Sequence, residues 1–197
     1  MSEGPWLVVG LGNPGPRYAG TRHNIGQVVV DHLAGGQAFK AGKHQAAVCQ
    51  TRLGTGPGGA PGPTVVLAKP TTYMNESGGP VAGLARYFGV DPAQVVVVHD
   101  ELDIDLGRVR LKRGGGEGGH NGLRSVSQSL GTRDYVRVRC GIGRPPGRQD
   151  PADFVLTGFG RREQSEAELI VVDAAEAVEL VVSEGLDAAQ LRVHSRG

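Results

Sequence analysis

Three polar clusters in this chain combine residue types that move protons and hold developing charge. The first is Gly10-Leu-Gly-Asn-Pro-Gly15, followed by Tyr18 and His23. The second is His99-Asp-Glu-Leu-Asp-Ile-Asp105, placed directly after the valine run Val95–Val98. The third joins Lys69-Pro-Thr-Thr-Tyr-Met-Asn75 to Gly114-Gly-Gly-Glu-Gly-Gly-His-Asn-Gly122. One loop histidine, one aspartate at a strand end and several side-chain amides suit a reaction driven by water. A base takes the proton from water, an acid fixes that base, and amide donors hold a carbonyl oxygen as it becomes negative.

Competing chemistries fit these residues less well. Gly10–Gly15 matches G-x-G-x-x-G, the pattern of a dinucleotide loop. Such a loop runs straight into a helix whose N-terminus holds the pyrophosphate. Here Pro14 and Pro16 intervene, and helical spacing begins only near Asn24. Asp31 has the offset of a ribose-binding acid, but it falls inside that helix and not after a second strand. A nucleotide-dependent oxidoreductase therefore rests on the glycines alone. Consecutive strand residues point to opposite faces, so His99 and Asp100 should not converge on one metal ion. There is no G-x-S-x-G elbow, and Ser77 sits at a helix start with no evident base. Cys49 and Cys140 lie far apart in strand-like patterns and read as small buried apolar residues. No cofactor and no metal are expected.

The elements that must position these groups follow from periodicity. Short apolar or alternating runs predict strands at 6–11, 45–53, 64–68, 95–99, 108–113 and 135–142. Asn24 is a candidate cap for a helix in which Ile25, Val28, Val29, His32 and Leu33 share a face, with Gly35 and Gly36 as its stop. Further helices are expected at 77–88, at 123–130 and, longest, at 163–184, with Ile170, Ala174, Ala177, Val178 and Val181 as an apolar stripe. Strands interleaved with helices predict an α/β fold: one globular domain over 1–197 with a mixed, twisted sheet flanked by helices. Within it, 54–63 reads as a flexible loop and 186–197 as a C-terminal tail.

The chain has 197 residues and a formal net charge of +1, unevenly spread. Between Arg108 and Arg148, ten Lys or Arg stand against Glu117 and Asp134. From Gln149 onward, ten acids stand against four Arg. The basic stretch fits a polyanion such as nucleic acid. No apolar run reaches the ~18 residues of a membrane span, and MSEGPWLVVG has no signal-peptide character, so a cytoplasmic protein is expected.

Taken in order, GLGNPGPRYAGTRHNIG, KPTTYMNESG, VVHDELD and GGGEGGHNGL resemble the bacterial peptidyl-tRNA hydrolase family over about residues 6 to 185. The resemblance implies that family's phosphorylase/hydrolase-like fold, a monomer, and hydrolysis of the ester between a peptide and the 3′-terminal ribose of tRNA. It implies His23 as catalytic base, Asp100 as the acid that stabilises its basic form, and Asn13 as the residue that tells blocked from unblocked aminoacyl-tRNA. Asn75, His120 and Asn121 become substrate contacts near the peptide and the tRNA 3′ end. Tyr18 and Tyr73 become aromatic linings of that end, and Met74 an apolar wall. Arg110, Lys112 and Arg139 become phosphate ligands. A non-catalytic RNA binder on the same fold is the alternative, and retention of His23, Asp100 and the three asparagines argues against it.

Overall fold

The computed structural model describes residues 4–196. The expectations that fall on residues 1–3 and 197 lie outside it. Among the described residues, seven strands form one mixed sheet: β1 (Trp6–Gly10), β2 (Lys40–Ala41), β3 (Ala46–Arg52), β4 (Thr64–Pro70), β5 (Val95–Glu101), β6 (Val109–Arg113) and β7 (Val136–Gly141). Their order is β2-β3-β4-β1-β5-β7-β6. The central pairs β4–β1, β1–β5 and β5–β7 are parallel, while β3–β4, β2–β3 and β6–β7 are antiparallel.

The strand alternation divides the core in two. Val8, Val65, Leu67, Val96, Val98, Val136 and Val138 pack under α1 (Ile25–Ala34) and α5 (Gln164–Glu184). Leu7, Val9, Val66, Val95 and Val97 face α2 (Gly78–Phe88) and α3 (Asn121–Leu130). Both faces of the parallel strands are covered, which is why the valine run carries no polar alternation. Helix α1 lies almost on the sheet. A Cβ on Gly10 would stand 2.3 Å from the Gly26 carbonyl oxygen, and one on Gly26 2.2 Å from that of Val98. Only glycines permit this crossing of β1, α1 and β5.

Segment 54–63 is the tip of the β3–β4 hairpin, where Thr55 bridges Pro61 around a 3-10 turn at Pro57–Gly59. Three expectations need correction. The supposed tail contains α6 (Leu186–His194), whose Ala189 and Val193 are buried in the core. Its apolar positions are too sparse to announce a helix by pattern. Val28 and His32, one turn apart, are both exposed, so the buried face of α1 is narrower than the spacing suggested. Asn24 precedes α1 but makes no side-chain cap, because its amide is engaged elsewhere. The short β2 and α4 (Pro151–Phe154) carry too few residues to show periodicity. Among the described residues, no helix is long and apolar enough to cross a membrane.

Candidate active site

Asp100 stands near the carboxyl end of β5, buried between two imidazoles. Its Oδ2 lies 2.8 Å from His23 Nδ1 and its Oδ1 2.8 Å from His120 Nε2. His99, one residue earlier, is also buried, and its ring packs on that of His120 at 5.1 Å between centroids. Burial pushes the Asp100 carboxyl up, but attraction and hydrogen bonding from His120 and His23 outweigh it and hold the group below the usual carboxylate range. Asp100 is thus a carboxylate, and both imidazole nitrogens facing it donate.

The tautomers follow. His120 caps α3, with Nδ1 accepting the Leu123 N–H at 3.3 Å, so its proton sits on Nε2. His23 donates from Nδ1, which leaves the Nε2 lone pair as the base. Donor atoms of His23, Asp100 and His120 all lie within 4.8 Å of one another, a grouping a divalent ion could span. The hydrogen bonds already use the imidazole nitrogens that face Asp100, and His120 would have to give up its cap to free its Nε2. His99 is held neutral, with its pKa lowered to about 3 by burial first and then by His120. Its Nδ1 donates to the Asp100 carbonyl at 2.7 Å.

The backbone around His23 is held from two sides. His23 N–H donates to the Val155 carbonyl at 2.8 Å and Arg22 N–H to that of Thr157 at 2.9 Å. The Arg22 guanidinium is buried over the Phe154 ring at 4.1 Å and donates to Thr157 Oγ1, to the Gly158 carbonyl and to Glu163 Oε1. On the other side, Asn24 Oδ1 accepts the Asn13 N–H and Asn24 Nδ2 donates to the Asn13 carbonyl, each at 2.9 Å. The first polar loop is therefore tied to the residue that follows the histidine.

The expected site residues fall into three adjoining groups. His23, Asp100, His120 and Asn121 line one cleft with Glu101, Leu102, the α4 residues Pro151 and Ala152, and Val155 just after that helix. Asn13 and Met74 form the second: Asn13 Oδ1 accepts the Met74 N–H at 2.7 Å. Met74 is buried against Leu123 and Val126, and Asn75 follows it, exposed, in the 3-10 turn Met74–Glu76. Tyr18 and Tyr73 meet edge to face with centroids 6.4 Å apart, Tyr73 largely exposed. Gly122 joins the two groups, since a Cβ there would strike Met74 Sδ and His120 Cε1. Ser77 is fully buried with its hydroxyl donated to the Met74 carbonyl, which disqualifies it as a nucleophile.

The third group is a square of cations. On one face of β6 and β7, Arg110 stands opposite Arg139 and Lys112 opposite Arg137. Like charges directly across a strand pair are destabilising unless an anion joins them. Burial and then neighbouring cations lower the pKa of Lys112, and burial is again the first cause for Arg139. Arg137 is wholly buried and donates to the carbonyls of Gly115, Gly116 and Arg133, fixing the glycine loop. Arg133 and Arg144 are paired with Glu117 and Asp103. Arg110, Lys112 and Arg139 stay half-exposed on the face of β6 and β7 that carries the square. His99 pairs in register with Arg139, so the square begins one strand from the imidazole cluster, ~5 Å away.

Sequence reasoning missed the support residues. Arg22, Asn24 and His99 stand within or beside the three polar clusters, but their work depends on partners that periodicity does not show: Glu163 for Arg22, Asn13 for Asn24 and His120 for His99. His120 was expected as a substrate contact; the structure places its Nε2 on Asp100, beside His23.

A mixed α/β sheet with a histidine–carboxylate pair at the carboxyl end of its parallel strands, framed by amides and cations, is a hydrolase site of the water-activating kind. The chain belongs to the peptidyl-tRNA hydrolase family, whose sequence profile matches residues 7–197. It is 64% identical to the peptidyl-tRNA hydrolase of Kineococcus radiotolerans over 96% of this chain and 97% of that one. It is 58% identical to that of Mycolicibacterium smegmatis, over 99% and 100% of the two chains. The crystal structure of peptidyl-tRNA hydrolase from Acinetobacter baumannii superposes with a TM-score of 0.86 at 36% identity, covering 98% of this chain and 95% of that one.

Proposed function

We propose that this chain is a peptidyl-tRNA hydrolase in which His23 activates water against the ester linking a peptide to the 3′-terminal ribose of tRNA. The observation that carries the reading is the 2.8 Å contact between His23 Nδ1 and Asp100 Oδ2, which leaves Nε2 unprotonated toward the cleft. Water attacks the ester carbonyl as its proton passes to His23 Nε2. The carbon–oxygen bond to the ribose then breaks, and the imidazolium returns the proton to the leaving ribose oxygen. Peptide carboxylate and free tRNA result. Asp100 stabilises the transient imidazolium, and His120 holds the second carboxylate oxygen so that Oδ2 keeps its aim.

The amides define the ester. The Met74 N–H fixes the Asn13 carboxamide with Oδ1 inward, so its NH2 is the donor offered to the substrate. It suits the carbonyl of a blocked amino group, which a free ammonium does not present. Asn75 and Asn121 supply donors toward the carbonyl oxygen and the tRNA end; one such donor is worth ~3 kcal/mol in the transition state. Tyr18 and Tyr73 offer faces to the terminal adenine, ~1–3 kcal/mol per stacked base. Arg110, Lys112 and Arg139 bind phosphates without reading sequence, as a general tRNA substrate requires. The reading includes a cytoplasmic enzyme that acts as a single-domain monomer without cofactor or metal.

His23→Ala against N-acetylated aminoacyl-tRNA is the test. Hydrolysis is expected to fall to near background while tRNA binding persists. Unchanged turnover would remove His23 from the mechanism.

A further inference from the structure

Helix α6 does more than cover the core. Strand β6 is the edge of the sheet, and such an edge leaves alternate backbone groups unpaired. At Leu111 both groups are taken by side chains of α6. His194 Nε2 accepts the Leu111 N–H at 3.0 Å, and Gln190 Nε2 donates to the Leu111 carbonyl at 3.0 Å. The i, i+4 spacing of Gln190 and His194 puts both on one helix face. The Leu111 side chain is buried in the same cluster as Ala189 and Val193. One residue of the edge strand is therefore gripped through its N–H, its carbonyl and its side chain.

The residues on either side of that grip are Arg110 and Lys112, which project from the other face. Opposite them stand Arg139 and Arg137. Without a bound anion, this repulsion acts to peel β6 away from β7, and β6 has no further strand to hold it. The contacts of Gln190 and His194 oppose that movement at the one point between the two cations. An acceptor role requires His194 to be neutral at Nε2, and burial followed by the charges of Arg110 and Arg139 lowers its pKa accordingly.

We propose that Gln190 and His194 are positioning residues for tRNA: their clasp on Leu111 holds Arg110 and Lys112 at the spacing from Arg139 that phosphates require. This rests on the reading of the cation square as the phosphate site. Neither side chain touches the ester or the imidazole cluster, so the chemical step is independent of the clasp.

The test compares two substrates in the double variant Gln190→Met/His194→Phe, which keeps shape and removes the donor and the acceptor. With N-acetylated aminoacyl-tRNA, KM should rise about fivefold, the range of one or two modest hydrogen bonds, at unchanged kcat. With an N-acetylated aminoacyl ester of adenosine, which lacks the tRNA body, kcat/KM should not change. Equal losses on both substrates, or no change on either, would overturn the proposal. Lys112→Ala, run in parallel, separates the two levels. If it leaves KM for the tRNA substrate unchanged, the phosphate reading fails. If it raises KM and the clasp variant does not, the clasp alone fails. Should the double variant not fold, the pair His194→Phe and His194→Gln decides. Glutamine restores an acceptor and should recover KM, and equal behaviour of the two would refute the clasp.

Discussion

Asn13 Oδ1 and the Met74 backbone N–H meet at 2.7 Å, and this single contact decides which end of the Asn13 amide faces the substrate. Asp at this position would keep the acceptor for Met74 and replace the outward NH2 by a second oxygen. Asn13→Asp should therefore fold normally and lose about 100-fold in kcat/KM on N-acetylated aminoacyl-tRNA, the equivalent of one lost donor. Circular dichroism and steady-state hydrolysis check the two halves. Wild-type rates in the variant would refute the role given to the amide.

Asp100→Asn has a derived consequence for the proton on His23. His120 Nε2 must donate, because its Nδ1 is occupied by the Leu123 N–H. The new carboxamide must then turn its oxygen to His120 and its NH2 to His23 Nδ1. That forces the His23 proton onto Nε2 and removes the base. A loss of about 10³–10⁴ in kcat is expected, with the ring in place. Adding His120→Ala frees the carboxamide to flip, so the double variant should be faster than Asp100→Asn alone. Nitrogen chemical shifts of the imidazole report the tautomer directly, and a slower double variant would contradict the scheme.

His99 should leave a signature in acid stability. Its pKa is lowered from 6.5 to about 3 in the folded chain, so the unfolded chain takes up a proton that the folded one refuses. Stability is complete above pH 6.5 and falls as pH drops toward 3, at up to ~1.4 kcal/mol per pH unit. His99→Asn keeps an N–H for the Asp100 carbonyl and has no titration. Between pH 7 and 5, before the carboxylates respond, urea unfolding of the variant should depend on pH less steeply than wild type. Parallel slopes would dismiss His99 as the source.

Gly26→Ala tests the crossing that brings the two halves of the dyad together. The added methyl would lie 2.2 Å from the Val98 carbonyl oxygen, two residues before Asp100. A loss of about 2–3 kcal/mol is expected, seen as a fall of roughly 5–10 °C in Tm. In the surviving folded fraction, kcat should drop more than KM changes. Full activity at full stability would mean that α1 can shift without cost.

Much of this site was legible because its parts are local. The valine run ending in His99-Asp100 could only be a buried strand delivering an acid at its end, and the glycine stops at Gly35 and Gly89 bound their helices. What escaped notice is what depends on partners distant in sequence. Arg137 looks like its neighbour Arg139, and only the fold sends one to backbone carbonyls and leaves the other half-exposed. Asn24 looks like a cap, and only the position of Asn13 turns its amide away from the helix. Helix α6 is weakly patterned because much of its purchase on the sheet is polar, through Gln190 and His194.

The Arg22–Glu163 contact has a consequence in time as well as space. Arg22, beside the base, is held by Glu163, 141 positions further along the chain, while Val155 and Thr157 accept the backbone N–H groups of His23 and Arg22. While this protein is being synthesised, the growing chain is itself a peptide esterified to tRNA. Until the segment through Glu163 has left the ribosome and packed under Arg22, the histidine has no finished seat. The seat of the base is thus among the contacts that form late, closed by a segment made long after the histidine itself.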